Sequence, residues 1–173
     1  MRSIAILDFL NATGRVFFKV LILRKNSVEK IEILVKAESG VALPEYKTLG
    51  AAGADVCARL ESPIVMKPLS RAVIPTGLFF AIPQGFEIQV RPRSGLAAKS
   101  GVTVLNTPGT IDSDYRGELK VILINLGEAD FAVNDGDRIA QIVAAPVTQA
   151  IFSRTESLDE TERGEGGFGS TGI

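Results

Sequence analysis

The stretch Phe86-Glu-Ile-Gln-Val-Arg-Pro-Arg-Ser-Gly-Leu-Ala-Ala-Lys-Ser-Gly101 contains both local patterns on which the fold prediction depends. Its first part alternates apolar and polar residues with a period of two, which is typical of a half-buried β-strand. Its second part, Ser94–Ser100, begins with a preferred N-cap residue and is followed by Gly101, which indicates a short helix. We therefore predict a strand at Phe86–Arg91 and one short helix capped by Ser94.

Similar short patterns extend outward from this stretch in both directions. From about Lys30 onward, short apolar or alternating runs are separated by Gly, Pro, Asn and Asp, which indicates strands rather than helices. Many short strands at close spacing predict an all-β domain, a jelly roll or distorted β-barrel with one short helix. The predicted strands are Ile31–Ala37, Ala54–Arg59, Ala72–Pro75, Leu78–Ile82, Phe86–Arg91, Leu119–Asn125, Phe131–Val133, Arg138–Val147 and Ala150–Phe152.

The composition excludes several classes of function. The 173 residues carry a formal net charge of -1, whereas a general nucleic-acid binder shows a basic excess. The absence of histidine excludes Ser-His triads and His-ligated zinc, and the single Cys57 excludes an internal disulfide and a cysteine metal cluster. A lone cysteine fits a reducing compartment, so we expect a cytoplasmic protein with no nucleic-acid partner.

The two ends of the chain differ from the predicted β domain. The apolar runs Ile4–Leu10 and Val16–Leu23 are each interrupted by a charge and are too short to span a bilayer or to form a signal peptide. We therefore expect no membrane partner, and we interpret residues 1–26 as an N-terminal extension of unknown role. The β domain is predicted at 27–152, and the acidic, then Gly-rich segment 153–173 is predicted to be a flexible C-terminal arm.

Two segments carry side chains that suit phosphate or proton chemistry. Arg93, Ser94 and Gly95 place a guanidinium, a hydroxyl and an amide at the mouth of the predicted helix. That pattern predicts an anion site, although an ordinary capped turn has the same sequence. Asp112 and Asp114 lie close together in a turn, where they can share a proton, hold a hard metal, position a water or simply bond to the local backbone.

Other polar positions are individually ambiguous. Asp55 leads a predicted strand, where metal or sugar groups can approach, but turn aspartates have the same appearance. Tyr115 is either a packing residue or a platform for a ligand, and Gln141 is either a ligand or a solvent-facing strand residue. In the arm, Arg163, Phe168 and Ser170 lie on a Gly-rich backbone that can cover a ligand or serve as a solvated linker.

Taken together and in order, five segments resemble the five motifs of the homotrimeric dUTPase family, and the resemblance extends from about Ile31 to Ile173. The segments are Ala51–Asp55, Pro92–Ala97, Asn106–Glu118, Gly136–Gln141 and Arg163–Ser170. The resemblance implies a jelly roll, a homotrimer with active sites shared between its chains, and Mg²⁺ as cofactor. It also implies hydrolysis of dUTP to dUMP and pyrophosphate, which limits uracil in DNA and supplies dUMP for dTMP synthesis.

The resemblance further implies a role for each matching residue. Asp112 is the catalytic residue that orients and deprotonates the water attacking the α-phosphate, and Asp55 holds Mg²⁺, through water. Tyr115 packs on the deoxyribose, where a 2′-hydroxyl would clash. The residues implied in substrate binding are Arg93, Ser94, Gly95 and Gln141 for the phosphates, Asn106, Gly109, Thr110 and Ile111 for uracil, Tyr115 for the sugar, and Arg163, Phe168, Gly169 and Ser170 for closing the site.

Two alternatives remain open. A dCTP deaminase, or a bifunctional dCTP deaminase and dUTPase, shares the fold and the trimer, but Tyr115 and the arm from Arg163 to Ser170 favour the diphosphatase. A non-catalytic nucleotide-binding jelly-roll protein would keep the fold without turnover.

Overall fold

The computed structural model describes residues 3–10, 16–23 and 29–167, with side chains from residue 29 onward. This part of the chain contains twelve strands and one short helix, and every strand pairing in it is antiparallel. The all-β prediction with one short helix is therefore confirmed. The elements are β1 Ser3–Leu10, β2 Val16–Leu23, β3 Leu34–Ala37, β4 Ala54–Cys57, β5 Ile64–Met66, β6 Arg71–Ala81, β7 Phe86–Arg91, α1 Ser94–Ser100, β8 Val102–Val104, β9 Gly109–Ile111, β10 Glu118–Asn125, β11 Phe131–Val133 and β12 Arg138–Pro146.

Two four-stranded sheets enclose the core. Their strand orders are β3-β6-β10-β8 and β4-β12-β7-β9, and β11 pairs with β5 beside them. Alternate residues of each strand point inward, as in β10, where Leu119, Val121 and Leu123 are buried. Each such aliphatic side chain contributes roughly 1.5–3 kcal/mol on burial. The fully buried side chains from several strands include Met66, Ile74, Leu78, Ile88, Val102, Val104, Val133 and Ile139.

Strand β6 corrects the prediction of two strands, Ala72–Pro75 and Leu78–Ile82, separated at Thr76 and Gly77. The structure has one strand with a bulge at that point: Lys120 is opposite Pro75, Glu118 is opposite Phe79, and the register shifts between them. At the bulge, Glu118 Oε1 accepts hydrogen bonds from the backbone N–H of Thr76 at 3.1 Å and of Gly77 at 2.8 Å. A side-chain carboxylate thus supplies acceptors where regular pairing is interrupted.

The other differences concern short elements. The three-residue strands β5, β8 and β9 were not predicted from the sequence, although β11, which is equally short, was predicted. The predicted strand Ala150–Phe152 is absent, and Ile151 and Phe152 are both 94% exposed. The helix has its predicted bounds, but Arg93 rather than Ser94 is its N-cap and makes no side-chain cap bond. Gly101 ends the helix in a left-handed conformation with φ of 67°.

The two apolar runs near the N-terminus pair with each other. Ser3 is opposite Leu23 and Leu10 is opposite Val16, so β1 and β2 form a two-stranded antiparallel sheet of their own. Among the described residues, no helix is long and apolar enough to cross a membrane.

Asn125 fixes the end of β10 from inside the core. Its fully buried amide donates to the carbonyls of Met66 and Ala129, at 2.9 Å each, and its oxygen accepts from the N–H of Gly127 at 2.9 Å. The side chain therefore satisfies three backbone groups that a turn leaves without ladder partners.

We expect Asn125→Ala to lower the free energy of unfolding by roughly 2–5 kcal/mol, because buried backbone groups lose their partners. The measurement is urea denaturation at one fixed protein concentration. The control is Glu128→Ala, at an exposed position of the same turn, which should change stability by less than about 0.5 kcal/mol. Equal effects of the two substitutions would contradict the structural role of Asn125.

Candidate active site

A buried carboxylate brings together residues from three of the predicted motifs. Asp55 lies on β4 opposite Gln141 on β12, and its side chain is only 8% exposed. Asp55 Oδ2 accepts a hydrogen bond from Arg138 Nη1 at 3.0 Å, and Oδ1 accepts one from Gln141 Nε2 at 3.1 Å. Arg93 Nε lies 3.8 Å from Oδ1. The predicted site residues Asp55, Arg93 and Gln141 therefore form one cluster.

The surroundings of Asp55 favour its charged form. Burial by itself raises the pKa of this carboxyl, but the hydrogen bonds from Gln141 and Arg138 and the charges of Arg93 and Arg138 outweigh burial. The pKa of Asp55 is therefore lowered from its ordinary value of 3.8. Asp55 is a permanent negative charge at neutral pH, and it orients two guanidinium groups.

Arg138 is a member of this cluster that the sequence prediction missed. Regular alternation along β12 would place Arg138 and Gln141 on opposite faces of the sheet. The register with β4 shifts between Arg138 and Ala140, however, and this bulge lets both side chains reach Asp55. The sequence pattern carries no sign of the shift.

Arg93 also links helix α1 to β12. Its Nη1 donates a hydrogen bond to the backbone carbonyl of Arg138 at 2.6 Å. Ser94 and Gly95, which follow it, are exposed. A cleft of about 340 Å³ lies beside Arg93 and is lined by Arg93, Leu96, Phe131, Ala132, Asp137, Arg138 and Ile139. Two guanidinium groups on its wall can donate hydrogen bonds to an anion, and both are also paired with Asp55.

The second predicted group of residues lies on and next to β9. Gly109 is buried and pairs with Val90 of β7, and the exposed Asn106 lies over it. A Cβ atom added at Gly109 would lie 3.2 Å from Asn106 Nδ2 and 3.4 Å from Val90 Cβ, so a side chain there would crowd both neighbours. Asn106, Thr110 and the backbone at Ile111 therefore form a compact edge, and the Thr107–Pro108 peptide within it is cis.

Asp112 and Tyr115 belong to the turn after β9. The backbone carbonyl of Asp112 accepts a hydrogen bond from the N–H of Tyr115 at 3.2 Å, and Tyr115 Oη donates to the carbonyl of Glu118 at 3.1 Å. The Asp112 side chain is exposed and has no hydrogen-bond or ion-pair partner among the described residues. Unlike the Asp55 oxygens, the Asp112 side-chain oxygens are therefore open to solvent or to a ligand.

The two groups belong to one sheet: the Asp55 cluster extends across β4, β12 and the residues after β7, and the second group is built on the outer strand β9, which pairs with β7. In the order β4-β12-β7-β9, Ala54 is opposite Ile142, Ile142 opposite Val90 and Val90 opposite Gly109. Three strand spacings separate the edges by roughly 14 Å. No hydrogen bond or ion pair within the described chain connects the Asp55 cluster with the segment Asn106–Tyr115.

The arm is described only in part. Arg163 Nε donates to the backbone carbonyl of Gly166 at 2.7 Å and makes no ion pair with other described residues. Phe168, Gly169 and Ser170 lie outside the described residues. Their predicted contacts stay predictions.

The fold and the two polar groups define an all-antiparallel jelly roll with an arginine-lined anion cleft, and comparison with known proteins gives the family. The dUTPase family model matches residues 39–172. The chain is 61% identical over 143 residues to the deoxyuridine 5'-triphosphate nucleotidohydrolase of Treponema denticola, covering 83% of this chain and 99% of the relative. It is 64% identical over 130 residues to the enzyme of the same name from Bdellovibrio bacteriovorus, covering 75% and 87%. The chain belongs to the dUTPase family.

Solved structures share the fold. The dUTPase of Staphylococcus bacteriophage 80alpha with dUPNHPP has a TM-score of 0.75 and 26% identity, covering 83% of this chain and all of the phage chain. A mutant dUTPase from phage phi11 of S. aureus, which coordinates a structural Mg(II) ion, has a TM-score of 0.67 at 22% identity, covering 75% of this chain and 100% of that one. These similarities confirm the predicted jelly roll.

We expect Asp55→Asn to lower the free energy of unfolding by roughly 1–3 kcal/mol at pH 7, because the carboxylate loses charge-assisted hydrogen bonds. The folded-state pKa of Asp55 lies below the ordinary 3.8, so its stabilising contribution is complete above about pH 5 and disappears as the pH falls through the folded pKa. The difference in unfolding free energy between the wild type and Asp55→Asn should therefore shrink below about pH 4.

The measurement is chemical denaturation of both proteins from pH 7 to 3. Asp130→Asn, which alters an exposed carboxylate before β11, is the control and should change stability at pH 7 by less than about 0.5 kcal/mol. A wild-type-to-variant difference that stays constant over the whole pH range would contradict the ionic role of Asp55.

Proposed function

We propose that this protein hydrolyses dUTP to dUMP and pyrophosphate. The observation that carries the proposal is the Asp55 cluster, in which side chains from three separate sequence motifs meet beside an anion-binding cleft. The relatives named as deoxyuridine 5'-triphosphate nucleotidohydrolases support the choice of substrate. Such a reaction would limit uracil in DNA and supply dUMP for dTMP synthesis.

Arg93, Ser94, Gly95 and Gln141 are proposed to bind the triphosphate. Arg93 lies on the cleft wall, and Gln141 uses one amide hydrogen on Asp55, so its second one is free to donate. Hydrogen bonds to charged groups contribute roughly 1.5–3 kcal/mol each, so a few of them hold a polyphosphate on a nearly neutral protein. Arg138 lies on the same wall and adds a second guanidinium.

Asp112 is proposed to be the general base. Its exposed carboxylate takes a proton from water, the water oxygen bonds to the α-phosphorus, and the bond from that phosphorus to the α,β-bridging oxygen breaks. Pyrophosphate leaves and dUMP remains. Asp55 is unsuited to this role because both of its oxygens already accept hydrogen bonds from Arg138 and Gln141.

Asn106 and the backbone from Gly109 to Ile111 are proposed to read uracil, and Tyr115 the sugar. Cytosine presents the opposite pattern of donors and acceptors, and a site built to hydrogen-bond one base rejects the other by about 10⁴–10⁵-fold. The close approach of Asn106 to Gly109 supports a rigid reading edge, because a side chain at position 109 would displace it.

Mg²⁺ is the proposed cofactor. The described residues contain no group of three or more acidic, His or Cys side chains that could hold a metal ion. They fit a hydrated ion held mainly by the substrate phosphates, with Asp55 reaching it through water, which is the usual mode of Mg²⁺ in phosphate sites. When bound, the ion neutralises charge that develops on the phosphates.

A homotrimer with shared active sites is proposed because no hydrogen bond or ion pair within the described residues joins the Asp55 cluster to the segment Asn106–Tyr115. The segment Asn106–Tyr115 of one chain then completes the Asp55 cluster of another. The arm, with Arg163, Phe168, Gly169 and Ser170, is proposed to close over the nucleotide. Residues 27–152 would be the β domain, 1–26 an extension and 153–173 the arm, in a protein located in the cytoplasm.

Measuring pyrophosphate release from dUTP, dTTP, dCTP and UTP tests the function. We expect release from dUTP at a kcat/KM at least about 10³-fold above that for dCTP. Formation of dUTP or dUMP from dCTP would instead indicate a deaminase, and tight binding of dUTP without any release would indicate a non-catalytic protein.

We expect Asp112→Asn to bind dUTP but to lower kcat by about 10²–10⁴-fold, the size of a general-base contribution. Binding is measured by calorimetry and turnover by pyrophosphate release. Asp114→Asn, two residues away and also exposed, is the matched control and should keep wild-type turnover. Unchanged kcat in Asp112→Asn would refute the role of this carboxylate.

Removing residues 163–173 should abolish turnover and leave the oligomer unchanged, because the arm closes the site without forming the sheets. Light scattering coupled to gel filtration reports the oligomer, and pyrophosphate release reports turnover. A full-length Phe168→Ala variant separates loss of base stacking from loss of the whole arm. Full activity after truncation would count against closure by the arm.

A further inference from the structure

The position of the Tyr115 ring depends on Gly117. Tyr115 is 46% exposed, so nearly half of its surface lacks packing that could hold it. A Cβ atom added at Gly117 would overlap the hydroxyl oxygen and ring carbons of Tyr115. The ring therefore lies in the space that a side chain at position 117 would fill.

The hydrogen bond of Tyr115 is anchored through Glu118. Tyr115 Oη donates to the backbone carbonyl of Glu118 at 3.1 Å. The side chain of Glu118, only 18% exposed, accepts hydrogen bonds from the N–H groups of Thr76 and Gly77 at the bulge of β6. Because Thr76 and Gly77 are buried, Glu118 cannot move without breaking hydrogen bonds in the core. Its carbonyl is thus a fixed acceptor for Tyr115.

We infer that Gly117 and Glu118 are positioning residues that set the preference for deoxyribose over ribose by holding the Tyr115 ring. This inference rests on the proposed function, in which Tyr115 packs on the sugar. The Tyr115 ring excludes a 2′-hydroxyl by steric contact. If the ring is displaced, UTP is therefore excluded less strongly, even when every group that touches the phosphates is intact. Neither Gly117 nor Glu118 needs to touch the nucleotide.

The experiment compares kcat/KM for dUTP and UTP in the full-length protein and its variants. Gly117→Ala should lower the ratio of the two constants by roughly 10–200-fold, the range of steric discrimination in a pocket. Glu118→Ala should lower the ratio in the same direction. Glu118→Gln keeps an acceptor oxygen for Thr76 and Gly77 and should restore the ratio to within about threefold of wild type.

Lys120→Met is the matched control on the same strand. Lys120 Nζ lies 3.4 Å from Glu118 Oε2, whereas the hydrogen bonds to Thr76 and Gly77 are made by Glu118 Oε1, so the ratio should not change. A loss of stability alone would alter kcat or the active fraction for both nucleotides equally and leave the ratio unchanged.

A spectroscopic readout follows the ring itself. The chain has no tryptophan and two tyrosines, so in a Tyr46→Phe background Tyr115 is the only source of tyrosine near-UV circular dichroism. Gly117→Ala should change that signal while the far-UV spectrum stays the same. If Glu118→Ala does not fold, Gly117→Ala alone tests the inference, because the three atoms closest to its added Cβ all belong to the Tyr115 side chain and none to core backbone.

The outcomes are separable from those of the proposed function. A wild-type protein that does not hydrolyse dUTP refutes the function itself. The positioning role is overturned if the wild type prefers dUTP and Gly117→Ala keeps the ratio of kcat/KM for dUTP to that for UTP within about twofold of the wild-type ratio. An unchanged ratio in Tyr115→Ala also overturns it, because the ring would then not select the sugar.

Discussion

The order of strands in the sheet β4-β12-β7-β9 is the constraint on which the rest of the account depends. It places Asp55 on one outer strand and Gly109 on the other, with β12 and β7 between them. Asp55 and Gly109 are thus three strand spacings apart, and no hydrogen bond or ion pair within the described residues joins the Asp55 cluster to the segment Asn106–Tyr115. We propose that these two groups are two half-sites of one chain. Identical chains usually assemble with closed symmetry. In such an assembly each chain can contribute one half-site to a neighbouring chain, and another neighbour contributes the missing half in return.

Within one half, a single buried negative charge organises the positive ones. Asp55 accepts hydrogen bonds from Arg138 and Gln141 and lies near Arg93, so its lowered pKa and the fixed positions of the guanidinium groups have the same cause. A protein with a net charge of -1 has no general attraction for polyanions. Locally arranged arginines therefore have to supply the attraction. The Asp112 carboxylate, in the other half-site, is the group proposed to activate water while the arginines bind the phosphates.

The sequence predicts those features that local patterns encode. Strand β7, helix α1 and strand β11 match their predicted bounds, because alternation and helix-end residues act locally. The continuity of β6 across its bulge was not predictable, since Glu118, distant in sequence, supplies the acceptors there. Arg138 was missed for a similar reason, because the bulge in β12 reverses its face. The family resemblance implied that Asp55, Arg93 and Gln141 all serve the phosphate side of the active site, but no local pattern shows that they contact one another, which depends on the pairing of β4 with β12.

Complementation between two inactive variants tests the shared site most directly. Asp112→Asn disables one half and Arg93→Gln the other, and the two proteins are unfolded and refolded together in equal amounts. If each site takes its halves from different chains, about one quarter of the sites combine two intact halves, and the mixture regains about one quarter of the wild-type dUTP hydrolysis. If the mixture shows no more activity than the two variants refolded separately, both halves act within one chain and the account is wrong.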